Sequence, residues 1–155
     1  MSPQMRKIWR RKQEPIDPEE AGESWDVSGG MFEGRPIITR FNAALRATAG
    51  HPGFGFQIGV ALPLNTRTED GLPTPEENQQ LDEVEGHIMR SIQQSKRAVL
   101  AGVITTGDMK EFVLYTGEPD WVQGWAEELQ RLVHTHEVQV MVQPDPQWTV
   151  FRDFT

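Results

Sequence analysis

The stretch "GFGFQIGVALP" (Gly53–Pro63) constrains the fold more than any other. Phe54, Phe56, Ile58, Val60 and Leu62 fall on one face of an extended chain. Gly55, Gln57, Gly59 and Ala61 fall on the other. Period two with five large apolar residues requires a strand with one face on a deep core. The small residues opposite let something approach closely, or leave that face to water.

A strand of this kind needs partners, and the flanking sequence supplies them. "TPEE" marks a helix start, with Thr74 as cap, Pro75 at the first helical position and Glu77 reaching back as a capping box. Leu81, Val84, Ile88 and Ile92 then form an apolar stripe. Ala98–Thr106 reads as a strand apolar on both faces, Gly107-Asp108 as a two-residue turn, and Met109–Thr116 as the returning strand. Pro119 opens a second helix that buries Val122, Trp125, Ala126, Leu129, Leu132 and Val133. Val138, Val140 and Val142 alternate with Glu137, Gln139 and Gln143, which suits an edge strand at 137–143. The resulting order is strand, helix, strand, strand, helix, strand.

This is an α+β class: a ferredoxin-like βαββαβ antiparallel sheet with two helices on one face. Right-handed crossovers predict the strand order last, first, third, second. A β-hairpin precedes the unit, with Trp25–Met31 and Pro36–Asn42 as arms and Glu33-Gly34 as turn. It either extends an edge or covers the free face, and the sequence does not decide between them. "NAALRATAG" follows as a short helix between Asn42 and Gly50.

Charge divides the chain differently. The formal net charge is −8, yet Arg6, Lys7, Arg10, Arg11 and Lys12 crowd the start. Without those five, 10 basic side chains stand against 23 acidic ones, a balance of −13. Residues 1–22, which also hold Pro3, Pro15 and Pro18, read as a basic arm; residues 23–155 read as one domain. So acidic a body repels phosphate backbones, which argues against nucleic-acid binding by the main domain. "GFGF" resembles an RNA-recognition strand only superficially: it lies on the wrong strand, and Pro52 stands where a basic residue is needed. The chain has no cysteine, which rules out disulfides and thiolate chemistry and fits a reducing, cytoplasmic setting. No apolar run approaches a membrane span, and no secretory leader is visible.

Catalytic patterns are missing. No Ser lies in a nucleophile elbow, and no glycine loop has the form of a phosphate cradle. His134 and His136 beside Glu137 lack a third marked ligand, so no metal is expected; no cofactor is implied either. His87, four residues after Glu83, reads as a surface pair. Glu76, Glu77, Asp82, Glu83 and Glu85 read as a solvated acidic helix face.

The tail "DPQWTVFRDF" is unusually apolar for a chain end. Pro144 and Pro146 end the edge strand, and Trp148, Phe151 and Phe154 recur at steps of three. Asp145 or Thr149 supplies a cap. The tail reads as a latch over one end of the sheet core.

Four stretches together resemble the bacterial family known as domain of unknown function 695. They are "EGRPIITRFN", "GLPTPEENQQLDEVE", "GVITTGDMKEFVLYT" and "DPQWTVFRDF". The resemblance covers about residues 25–155 and leaves the arm outside. It implies a ferredoxin-like fold, similar to that of the regulator of ribonuclease E activity B, which acts by binding an enzyme. It implies no catalytic residues.

The expected function is a non-catalytic binding or regulatory module acting on a protein partner. Its acidic surface, with Glu83 and Glu85, or an open sheet edge would make the contact. A homodimer through strand 137–143 is a further expectation. The alternative is a small-molecule binder or unrecognised hydrolase with a pocket near Tyr115, Asp145 and Trp148.

Overall fold

The computed structural model describes residues 14–155. One six-stranded antiparallel sheet organises the chain, flanked by helices. The elements in chain order are α1 (Pro18–Ala21), β1 (Trp25–Phe32), β2 (Arg35–Asn42), β3 (Phe56–Pro63), α2 (Pro75–Ser95), β4 (Ala98–Thr105), β5 (Met109–Thr116), α3 (Val122–Leu132), β6 (Gln139–Pro144) and α4 (Thr149–Asp153). Across the sheet the order is β1-β2-β4-β5-β3-β6. The hairpin question is thereby settled. β1 and β2 extend the edge at β4, with Ile38–Phe41 pairing against Thr105–Gly102. Its turn uses Glu33 (φ 52°) and Gly34 (φ 78°), the double positive φ that a tight hairpin needs.

The sheet has a core on each side. α2 and α3 cover one face, where Leu81, Val84, Ile88, Val122 and Leu129 meet Ile58, Val60, Leu62, Phe112 and Leu114. On the other face, Leu45 and Ala49 from the segment after β2 join Trp148 and Phe151 from the tail over Phe41, Ala101, Ile104, Val113 and Tyr115. This explains why β4 is apolar on both faces. A bulge between Leu100 and Gly102 lets Leu100 and Val103 both reach the helices. Ala101 and Ile104 then both face the tail.

Several expectations need correction. β3 begins at Phe56, and Phe54 sits in a preceding 3₁₀ turn, packed on the tail side rather than in line with Ile58. His51 caps that turn through its ring nitrogen and holds Phe54 out of the strand. Leu132 is half exposed, because α3 ends there. Two residues of the segment 1–22 also touch the domain. The Ile16 N–H donates to the Ala47 carbonyl at 2.8 Å, and Ala21 packs on the tail-side core. The basic run Arg6–Lys12 lies outside the described residues.

Candidate functional site

The three tail-side candidates, Tyr115, Asp145 and Trp148, come together in the interior. Pro144 ends β6, and the Asp145 N–H donates to the Gly55 carbonyl at 2.9 Å, which turns the chain across the sheet. Trp148 then adopts φ 57°, ψ 43°, a backbone state that a bulky residue enters only when its surroundings force it. Here the force is packing. The Trp148 ring lies flat on Tyr115, centroids 3.9 Å apart and planes 7° apart, and meets Phe151 edge-on. Both stacked rings are fully buried.

Each polar atom of this cluster has an internal partner. The Tyr115 hydroxyl donates to Asp145 Oδ2 at 2.8 Å and accepts from the Phe151 N–H at 3.2 Å. Asp145 also accepts from the Thr149 N–H at 2.8 Å and the Val150 N–H at 3.1 Å, so Asp145, not Thr149, caps α4. Trp148 Nε1 donates to the Phe54 carbonyl at 2.9 Å. Burial alone would raise the Asp145 pKa. The Thr149 amide, the Tyr115 hydroxyl and the Val150 amide outweigh it and hold the carboxyl below its usual range. Burial, with the Asp145 carboxylate beside it, pushes the Tyr115 phenol above its usual range. A phenol so held is a poor proton donor to any substrate. The cluster acts as a lock, and Phe154, half exposed at its end, lies outside it.

The acidic helix face divides in the same way. Glu83 is exposed, as expected. Glu85 is instead drawn between two cations: Arg40 Nη2 at 2.6 Å and Lys110 Nζ at 3.8 Å. Lys110, almost buried, also faces Asp82 at 3.8 Å. Arg40 lies over the Trp25 ring, 5.4 Å from its centroid. Glu85 therefore ties α2 to β2 and β5. His87 turns to Arg90 at 3.2 Å rather than pairing with Glu83.

Glu77 departs furthest from expectation. The Thr74 hydroxyl accepts from the Glu77 N–H, as a cap should. The Glu77 carboxylate does not return to the cap. It is buried, accepts from the Asn65 and Thr66 N–H groups, and meets His136 Nε2 at 2.6 Å. Burial opposes its charge; the two amides and His136 more than compensate and lower its pKa. His136 is the buried partner of this carboxylate. No local spacing signals a pair 59 residues apart. Among the described residues no three His, Asp or Glu side chains converge as a metal set.

Open surface lies elsewhere. β1 is an edge strand, and every residue after Trp25 in it is exposed. Val27 and Met31 share one face with Ile38 of β2, and their exposures are 69%, 68% and 36%. A cleft of about 530 Å³ opens at the Trp25 end of the hairpin, where β2 and β4 part beyond the Phe41–Gly102 pair. Neither it nor a smaller cleft under Val27 and Ile38 is lined by Tyr115, Asp145 or Trp148. Among the described residues no helix is long and apolar enough to cross a membrane.

Residues 23–155 match the model of a family described as "Family of unknown function (DUF695)", and the chain belongs to that family. No curated protein and no solved structure matches it.

Proposed function

We propose that this DUF695 chain is a non-catalytic protein-binding module that works through its outermost strand, β1. The observation that carries the reading is Val27 and Met31, two large apolar side chains more than two-thirds exposed on a sheet edge. Natural edges are guarded by brevity, proline or lysine. β6, at the opposite edge, is six residues long and ends in Pro144. β1 is eight residues long and has neither proline nor lysine. An extended segment of a partner can pair with it and seat alternate side chains on Val27 and Met31. The acidic body favours a basic partner and disfavours a second copy, so pairing of two β6 strands is the weaker reading.

The strand order β6-β3-β5-β4 supports a ferredoxin-like unit extended by the hairpin. A likeness in fold to the regulator of ribonuclease E activity B, itself an enzyme-binding protein, is part of this reading. So is a bacterial, cytoplasmic setting. A small-molecule site at the tail has less support, because the polar groups of Tyr115, Asp145 and Trp148 are already taken up.

A photoreactive side chain placed at Val27, with Glu83 as control, tests the reading in the host cell. The expected result is a discrete heavier adduct from position 27, mapped to a basic segment of another protein and lost with Met31→Asp. No adduct, or an adduct of twice the chain mass, overturns it.

A further inference from the structure

The tail covers only part of the sheet face it lies on. Val113 and Tyr115 of β5 belong to the core under Trp148 and Phe151. Glu111, the preceding residue of β5 on that face, does not, nor do its neighbours on β3 and β6. The register sets Ala61 opposite Glu111, Gly59 opposite Met141 and Gln57 opposite Gln143. Met141 is half exposed. The small residues of β3 thus floor an open stretch of sheet near its β6 edge.

Three side chains converge over Gly59. A Cβ at that position would stand 3.2 Å from Met141 Cγ, 3.3 Å from Glu111 Oε1 and 3.5 Å from Gln57 Nε2. The missing side chain lets Glu111 fold inward, partly out of water. Nothing inside the fold compensates it. Burial pushes the Glu111 carboxyl above its ordinary range, and among the described residues no hydrogen bond or cation offsets that cost. Lys110, next in sequence, points to the opposite face, toward Asp82 and Glu85 of α2. Glu77 and Asp145 behave otherwise, because their internal partners hold both carboxyls down. Gln57, itself 2% exposed, is also incomplete. Its Oε1 accepts from Gln143 Nε2 at 3.0 Å. Its own Nε2 turns to the spot over Gly59 and has no acceptor among the described residues.

These groups select a ligand. An unpaired carboxylate calls for a cation with N–H donors. The flat guanidinium of arginine gives two parallel bonds and sheds water more readily than an ammonium does. Its methylene stem can lie along Met141, and a carbonyl of the same segment can accept from Gln57 Nε2. A phosphate is repelled. We propose that the open face of β3, β5 and β6 is a docking surface for a protein segment that presents an arginine to Glu111 over Gly59. The acidic body draws such a segment in. This surface lies across the sheet from β1, so the proposal and the β1 reading can fail separately.

Nuclear magnetic resonance of the isotope-labelled full-length chain tests it, with N-acetylarginine amide as probe. The expected result is a saturable shift of the Gln57 side-chain amide and the Gly59 N–H. The uncharged citrulline analogue should bind about tenfold more weakly, as loss of one charge-assisted hydrogen bond predicts. Glu111→Gln should abolish the shift. The same variant should melt no lower than the unmodified chain at neutral pH, because it removes a charge that burial disfavours. That readout separates lost binding from lost fold. An equal response to the citrulline analogue, a shift that survives Glu111→Gln, shifts as large around Glu83, or a lower melting temperature for Glu111→Gln would overturn the proposal.

Discussion

The tail and the N-terminal hairpin are both apolar segments near the ends of the chain, and they fare oppositely. The tail places Trp148 and Phe151 inside, on Tyr115 and Phe41. The hairpin leaves Val27, Met31 and Phe32 in solvent. Apolar content does not separate the two. The difference is cover: the tail lies across a sheet face that α2 and α3 leave bare, whereas the hairpin extends the sheet past the last helix. Where the chain supplies its own cover, apolar residues stabilise. Where it does not, they are available to a partner.

The largest effect that would break this contrast is in the tail. Trp148→Ala removes a fully buried, stacked ring and should cost about 3–5 kcal/mol in urea unfolding. A loss below 1 kcal/mol would mean that the tail does not hold the fold. Asp145→Ala strips the Tyr115 hydroxyl and two amides of their acceptor and should cost about 2–3 kcal/mol by the same measurement. Glu85→Gln weakens the tie between α2 and Arg40 and Lys110, with an expected loss of about 1 kcal/mol. Glu83→Gln, four-square on the solvent side of the same helix, serves as its neutral control. Smallest of all, Val27→Ser with Met31→Ser should change stability by less than about 0.5 kcal/mol. Met31→Ser alone, combined with the photoreactive side chain at position 27, should abolish the adduct at β1. A large destabilisation by the double variant would make the hairpin structural and remove its availability.

Acid sharpens the comparison further. Asp145 and Glu77 both have pKa values held below the ordinary carboxylate range, so the folded state binds their protons more weakly than the unfolded state does. Their contribution is fully present above the unfolded value of about 4 and is lost as pH falls through their folded values. The unfolding free energy should therefore drop below about pH 4, and Asp145→Asn should show a shallower drop. An identical slope in the variant would show that Asp145 carries no such linkage.

Much of this was legible from residue pattern. The period of Phe56–Leu62 and the stripe Leu81–Ile92 each mark an element that bears its core on one side. The alternation at 137–143 marks an edge strand, but β6 runs Gln139–Pro144, with Val138 buried just before it and Val142 40% exposed. The spacing of Trp148, Phe151 and Phe154 marks a latch over one end of the sheet core; the structure instead lays Trp148 and Phe151 over a second core on the free sheet face and leaves Phe154 outside it. What stayed hidden depends on distance in sequence. The His136–Glu77 pair joins the first turn of α2 to the loop after α3, and Glu77 sits where a capping box gives it a simpler use. Glu85 looks like its exposed neighbours until β2 brings Arg40 beside it. The β4 bulge leaves no residue signature, since Ala101 would suit either face. The edge chosen by the hairpin follows from pairing with β4, which only tertiary assembly decides.

One measurement reads both regions at once: native-state hydrogen exchange of the tail and of β1. The account predicts that the Thr149, Val150 and Phe151 amides, bonded to Asp145 and Tyr115, exchange only with global unfolding. It predicts that the outward amides of β1 exchange as in an open chain and gain protection when a basic partner strand is added. Fast exchange in the tail, or protection of the outer β1 amides in the isolated chain, would contradict it.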